Sequence, residues 1–167
     1  MSSVDQQYLQ TQEVVEPYDF NTLPSHACAY CGVHSPESVV KCNTKDCLKW
    51  FCNGKGLNEY GSHIILHMVR SKHKEMQLHP DSLYKDIPIE CYNCSSKNVF
   101  LLGFVSAKTE AVIMIICREP CLSQHSVKDG SWDMENWQPL IENKALLSWL
   151  VKFPSELEFK KSRKITP

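Results

Sequence analysis

Nine cysteines and seven histidines occur in 167 residues, and twelve of these side chains fall at spacings that divide into three sets of four. Cys28, Cys31, Cys42, Cys47, Cys52, His63, His67 and His73 form one block of eight, and Cys91, Cys94, Cys117 and Cys121 form a later group of four. Structural zinc is held by four Cys or His ligands, usually in pairs a few residues apart, so three Zn²⁺ would consume the whole set. All nine cysteines are then used, and no free thiol is left for catalysis.

Disulfides suit this pattern less well, because nine is odd, the pairs are of Cys-x2-Cys type and histidines fall in register with them. A composition of 43% hydrophobic and 22% charged residues describes a globular chain, but one long enough only for small modules. Metal is expected to supply stability that their apolar burial does not, and its removal to unfold them. Metal-bound cysteines are thiolates, so zinc loading takes the formal charge from −1 to about −4. That balance weighs against a broad nucleic-acid surface, which needs clustered Lys and Arg.

Residues 1–24 are polar, without apolar periodicity, and read as a flexible leader. They lack a basic stretch followed by an apolar run, and the longest apolar run, 111–117, is too short to span a membrane. A reducing, cytoplasmic location is expected. A first zinc module is expected over 25–80, a second over 81–153, and a linker or helix over 154–167. In the first module, Val39-Val40 and Lys49-Trp50-Phe51 suit short strands, and Ser62 caps a helix that carries His63 and His67 on one face. Pro80 to Pro88 reads as a connector with a turn at Pro80-Asp81-Ser82. In the second, Ile87 to Cys91, Val99 to Val105 and Ala111 to Cys117 read as strands, the tryptophans of 132–139 as a cover for the sheet, and Leu140 to Val151 as a helix. Ser155 to Lys164 runs from acidic to basic, the order a helix dipole favours.

The block of eight can be partitioned in two ways. A sequential division gives four cysteines, then one cysteine with three histidines. An interleaved division gives Cys28, Cys31, Cys52 and His63 on one zinc, with Cys42, Cys47, His67 and His73 on the next. We favour the second, because Cys₃His and Cys₂His₂ are common structural sets and because interleaving ties distant segments together. His79 stands as the alternative to His73, while His26, His34 and His125 read as surface or hydrogen-bonding residues.

Several runs then point to a family. His26-Ala27-Cys28-Ala29-Tyr30-Cys31-Gly32, Lys49-Trp50-Phe51-Cys52-Asn53, Gly61-Ser62-His63-Ile64, Glu90-Cys91-Tyr92-Asn93-Cys94 and Asn98-Val99-Phe100-Leu101-Leu102-Gly103-Phe104 resemble the cysteine/histidine-rich domain of the up-frameshift RNA helicases of nonsense-mediated mRNA decay. Trp137-Gln138-Pro139-Leu140-Ile141 and Leu147-Ser148-Trp149 extend the likeness over about residues 25–167. The resemblance implies an α+β, zinc-braced fold: a RING-box- and U-box-like cross-braced module followed by a zinc-ribbon-like β module. It implies the interleaved ligand sets, with one departure, since Cys42 and Cys47 are four residues apart where the family usually has two.

The resemblance also implies a function. In the family this domain docks a second up-frameshift factor, an adaptor, and regulates a helicase core in cis. The family's contact surface carries over to Val69, Phe100 and Val112, although composition alone would place Phe100 in the core. The ribosome and a ubiquitin-conjugating enzyme are further partners to consider; the latter would make the chain a RING-like ubiquitin ligase module acting by positioning. A direct RNA-binding role would rest on residues such as Tyr92, Lys97 and Lys108, and the net acidity argues against it. No G-x-x-x-x-G-K-[ST] loop occurs, so this chain is expected to be no enzyme itself and to be a fragment or truncated relative of a helicase.

Overall fold

In the computed structural model, residues 15–55, 60–123 and 130–164 are described. The chain is a mixed helix and sheet fold. A first antiparallel sheet has the order β2-β1-β3, formed by β1 (Val39–Cys42), β2 (Trp50–Cys52) and β3 (Met76–Leu78). Val39 pairs with Cys52 and Cys42 with Met76, which places Cys42 and Cys52 towards opposite ends of β1. Helix α1 (His63–Ser71) lies between β2 and β3 in the chain and packs on this sheet. It starts where Ser62 accepts a hydrogen bond from the Ile65 amide, an N-cap that satisfies an otherwise unpaired donor. It ends at Lys72, in the left-handed region at φ 63°.

A second antiparallel sheet has the order β5-β4-β6, from β4 (Leu102–Ser106), β5 (Ile113–Cys117) and β6 (Gln138–Pro139). Gly103 in β4 is dictated by a neighbour: a Cβ there would lie 2.2 Å from the Trp137 ring. Trp137 covers the sheet at that point and donates its indole N–H to the Ile116 carbonyl. The two sheets share one apolar core, in which Val40, Phe51, Ile64 and Met68 join Leu102, Val105, Ile116 and Leu146. Directly after β2 sits Asn53, fully buried. Its side-chain amide donates to the carbonyls of Leu146 and Val151 and accepts from the Leu146 amide, so all three bonds reach across almost a hundred residues.

Two expectations need correction. The helix expected over Leu140 to Val151 is instead a hairpin, β7 (Ile141–Glu142) and β8 (Ala145–Leu146), followed by turns. Asn143 and Lys144 both have positive φ, 53° and 61°, the two-residue turn whose twist matches antiparallel strands. Ile87 to Cys91 is not a strand. Pro88 has no amide to donate, and the backbone closes on local bonds from Ile87 to Tyr84 and from Glu90 to Pro88.

Of the leader, residues 15–24 are described, most of them exposed. The Tyr18 amide donates to Lys161, and Tyr18 lies against His34. The remainder of the leader lies outside the described residues. The C-terminal helix, α2 (Glu156–Lys161), starts at a capping box in which Ser155 and Glu158 satisfy each other's backbone amides.

Candidate metal centres

The structure gathers the twelve sequence-selected side chains into three groups: Cys28, Cys31, Cys52 and His63; Cys42, Cys47, His67 and His73; and Cys91, Cys94, Cys117 and Cys121. Within each, the ligand atoms all lie within 4.8 Å of one another. The first two interleave along the chain, as the favoured partition has it. His73, rather than His79, enters the second set; His79 packs instead on His26 and Trp50 and accepts a bond from the Asp81 amide. His125 lies outside the described residues.

The separations fit a metal and not a bond between sulfurs. Cys31 and Cys52 sulfurs are 3.6 Å apart, and those of Cys94 and Cys117 are 3.7 Å apart. The His63 Nδ1 atom is 3.6 Å from Cys28 and 3.4 Å from Cys52, while Cys42 to His73 Nδ1 is 3.3 Å and Cys47 to His67 Nε2 is 3.4 Å. A tetrahedron built on zinc–sulfur and zinc–nitrogen bonds has edges of about 3.8 Å between sulfurs and about 3.6 Å between sulfur and nitrogen. A disulfide would bring two sulfurs to about 2 Å. All nine thiols are free.

Local structure explains how each pair is presented. After the second cysteine of each N-terminal pair the backbone turns left-handed: Gly32 at φ 92°, Leu48 at 56° and Ser95 at 63°. In the Cys-x2-Cys pairs this residue donates its amide to the first cysteine's carbonyl, Gly32 to Cys28 and Ser95 to Cys91, each at 2.9 Å. The turn aims both sulfurs to one side. Glycine accepts such a conformation freely, and leucine does not. The four-residue gap between Cys42 and Cys47 changes the loop and still brings Cys47 to His67.

Helix α1 serves two sets at once. His63 and His67 are one turn apart on the same side, and His63 reaches the first set while His67 reaches the second. Aromatic rings hold both imidazoles. Phe51 stacks on His67 with centroids 4.1 Å apart and planes 15° apart, and Tyr30 meets His63 edge-on at 5.6 Å.

The electrostatics also call for a cation. Burial opposes ionisation of Cys28, but hydrogen bonds from Cys31, Cys52 and His63 overcome it and hold that thiol far below its ordinary range. The hydrogen bond with Cys28 helps push Cys31 up to about 12, and bonds with Cys28 and Cys31 raise Cys52 as well. In the third set burial again opposes ionisation, yet backbone amides of Cys94, Cys117 and Asn93 bring Cys91 down to about 7, while burial drives Cys117 up to about 12. Four thiolates so close together repel one another; a dication among them removes that penalty. Asn93 also donates to the Cys121 sulfur at 3.2 Å, the kind of outer bond that fixes a ligand's orientation. Burial, followed by His73 and Lys49, lowers His67 to about 4, which keeps its ring neutral and able to bind metal.

The three sequence-selected contact residues are exposed: Val69 by 59%, Phe100 by 38% and Val112 by 46%. Phe100 is thus outside the core in which composition would place it. Sequence reasoning missed Asn53, which ties the end of β2 to Leu146 and Val151; its only signal was a polar residue directly after a ligand. No helix among the described residues is long and apolar enough to cross a membrane.

These centres sit in a chain with clear relatives. Residues 26–167 match a family model described as "RNA helicase (UPF2 interacting domain)". The chain is 50% identical over 167 residues to the regulator of nonsense transcripts 1 homolog of Neurospora crassa, covering 100% of this chain and 15% of that protein. It is 54% identical over 153 residues to regulator of nonsense transcripts 1 of Dictyostelium discoideum, covering 90% and 11% respectively. It is 48% identical over 165 residues to ATP-dependent helicase NAM7 of Saccharomyces cerevisiae, covering 98% and 16%. It therefore spans only a small part of the length of these relatives. With a matching family model over most of its residues and three Cys/His clusters fit for metal, the chain belongs to the UPF1 zinc-binding domain family.

Proposed function

We propose that the chain is a zinc-braced interaction and regulatory domain of a decay helicase, holding three Zn²⁺ in the twelve-ligand arrangement above. It docks the second up-frameshift factor and modulates helicase and ATPase activity in cis. The observation that carries this reading is the family match to a UPF2-interacting domain over residues 26–167. The closure of the sites supports it: four protein ligands per metal leave no position for water or substrate, so bound Zn²⁺ would supply charge balance and a rigid brace rather than chemistry. The interleaved first and second sets make a RING-box- or U-box-like brace, and the third set, at the end of the β4–β5 hairpin, makes a ribbon-like module.

Val69, Phe100 and Val112 are the proposed contacts. Phe100 precedes β4 and Val112 precedes β5, at opposite ends of a ladder running from Leu102–Cys117 to Ser106–Ile113. Four steps of strand separate those ends by about 14 Å, so a docked segment would run along the hairpin rather than sit at one point. Binding of the adaptor's C-terminal segment to the zinc-loaded chain tests this. Phe100→Glu and Val112→Asp are each expected to weaken it by about ten-fold or more. Unchanged affinity, with zinc content intact, would remove this surface.

A further inference from the structure

The surroundings of the second set differ from those of the other two. Six cations lie within three residues of its ligands: Lys41, which is half-buried, and five that are exposed, Lys45, Lys49, Arg70, Lys72 and Lys74. Only Asp46 and Glu75 offset them locally, whereas the whole chain is formally −1. None of the five is ion-paired with a carboxylate among the described residues. Arg70 acts electrostatically on Tyr30 and Lys49 on His67, so both stand close to the cluster. The cluster does not cancel this charge. Two thiolates balance a dication, whereas three leave it one charge negative and four leave it two. With metal bound, the second set is the neutral one, and its rim stays positive.

Between Lys45 and Lys49 in the chain stands Leu48, 47% exposed and held in the left-handed region at φ 56°. A leucine there carries backbone strain, and its side chain is presented to solvent instead of the core. We propose that this rim, Lys45, Leu48, Lys49, Arg70 and Lys72, is a docking surface for an acidic peptide segment of a partner protein, with one apolar side chain of that segment seated on Leu48. Charge complementarity selects the class of partner. Single-stranded RNA shares the charge but needs exposed rings on which bases stack. Tyr30, on which Arg70 acts, is half-buried and packed against Phe51 and His63. Of the proposed adaptor contacts, Phe100 and Val112 are on the hairpin, and only Val69, next to Arg70 in α1, is shared in position with this rim.

Fluorescence anisotropy on the zinc-loaded chain tests the proposal, with a labelled peptide of alternating Glu and Asp carrying one central Leu. Saturable, salt-sensitive binding is expected, weakened about ten-fold by joint Lys45→Glu and Lys49→Glu substitution. The same charge change at the exposed Lys108 and Lys152 should leave it within about two-fold. Leu48→Gly separates binding from folding, because it relieves the left-handed strain while deleting the apolar contact. It should raise the melting temperature and lower the affinity for the Leu-bearing peptide towards that of a peptide with Ala in its place. Absence of saturable binding at low salt would overturn the proposal. So would equal losses from the two double variants, an unaffected Leu48→Gly, or tighter binding of an oligouridylate than of the peptide.

Discussion

The first and second metal sets share helix α1 and sheet β2-β1-β3, yet the fold treats them oppositely. All four side chains of the first are buried, whereas in the second only Cys42 is, with Cys47, His67 and His73 half-exposed. The first draws its ligands from the N-terminal pair, the end of β2 and the first residue of α1, so it fastens three segments at the centre of the core. The second closes the outer edge, where the β1–β2 loop meets the far end of α1. Equal ligand numbers therefore do not mean equal structural weight. What a metal set contributes depends on how much of the chain must come apart when it opens.

The largest contrast should come from removing one thiolate from each set. Cys52→Ser is expected to abolish cooperative unfolding altogether, since it opens a buried site whose metal contributes folding free energy of order 10 kcal/mol. Cys47→Ser should lose one metal equivalent by native mass spectrometry and keep protected amides in β4 and β5. Comparable unfolding in both variants would erase the distinction.

Next in size is Phe51→Leu. Phe51 stacks on His67 and meets Tyr30, which in turn contacts His63, so it links the two sets. A loss of roughly 1–3 kcal/mol is expected by denaturant titration, with metal released faster from the second set than from the first. Equal release rates would mean that the stacking does not support His67.

Leu48→Gly should act in the other direction, raising stability by about 0.5–1 kcal/mol through relief of the left-handed strain. A fall in the denaturation midpoint would show that Leu48 packs usefully where it stands.

The smallest effect concerns acid. His67 is lowered from 6.5 to about 4, so the unfolded chain takes up a proton at higher pH than the folded one. The stability linked to this group is present above pH 6.5 and is lost as pH falls towards 4. Lys49→Gln removes one cause of the lowering and should raise the value, moving acid release of metal from the second set to higher pH by a few tenths of a unit. A chelating dye read against pH checks it; a shift to lower pH would contradict the assignment of Lys49 to this rim.

The ligand groups were legible because chelation imposes residue type and spacing together, a constraint few other functions reproduce. The start of α1 at Ser62 and the paired strands around Phe104 and Ile115 were legible for the same local reasons, a cap and runs of branched residues. Residues 140–151 were not. Leu140, Leu146, Leu150 and Val151 are apolar at spacings a helix also allows, and the deciding feature was the readiness of Asn143 to take positive φ. Asn53 escaped for a different reason: its partners are Leu146 and Val151, and nothing near it in sequence announces a bond of that range. The packing of Tyr18 and Phe20 was hidden likewise, because their partners, Lys161 and Arg163, come at the other end.

Arg163 carries a consequence of its own. Its amide donates to the Cys31 carbonyl, its Nε to Tyr30 and a terminal guanidinium nitrogen to Ala29, while its guanidinium lies 4.1 Å from the Phe20 ring. Three successive carbonyls of the first cysteine loop thus act as a bearing for the backbone beyond α2, with Phe20 as the opposing jaw. The heading of the chain at that point is referenced to a metal-shaped loop rather than to a hydrophobic surface. Hydrophobic surfaces let a segment slide, whereas this bearing has one register, and it holds only while Cys28 and Cys31 keep their turn.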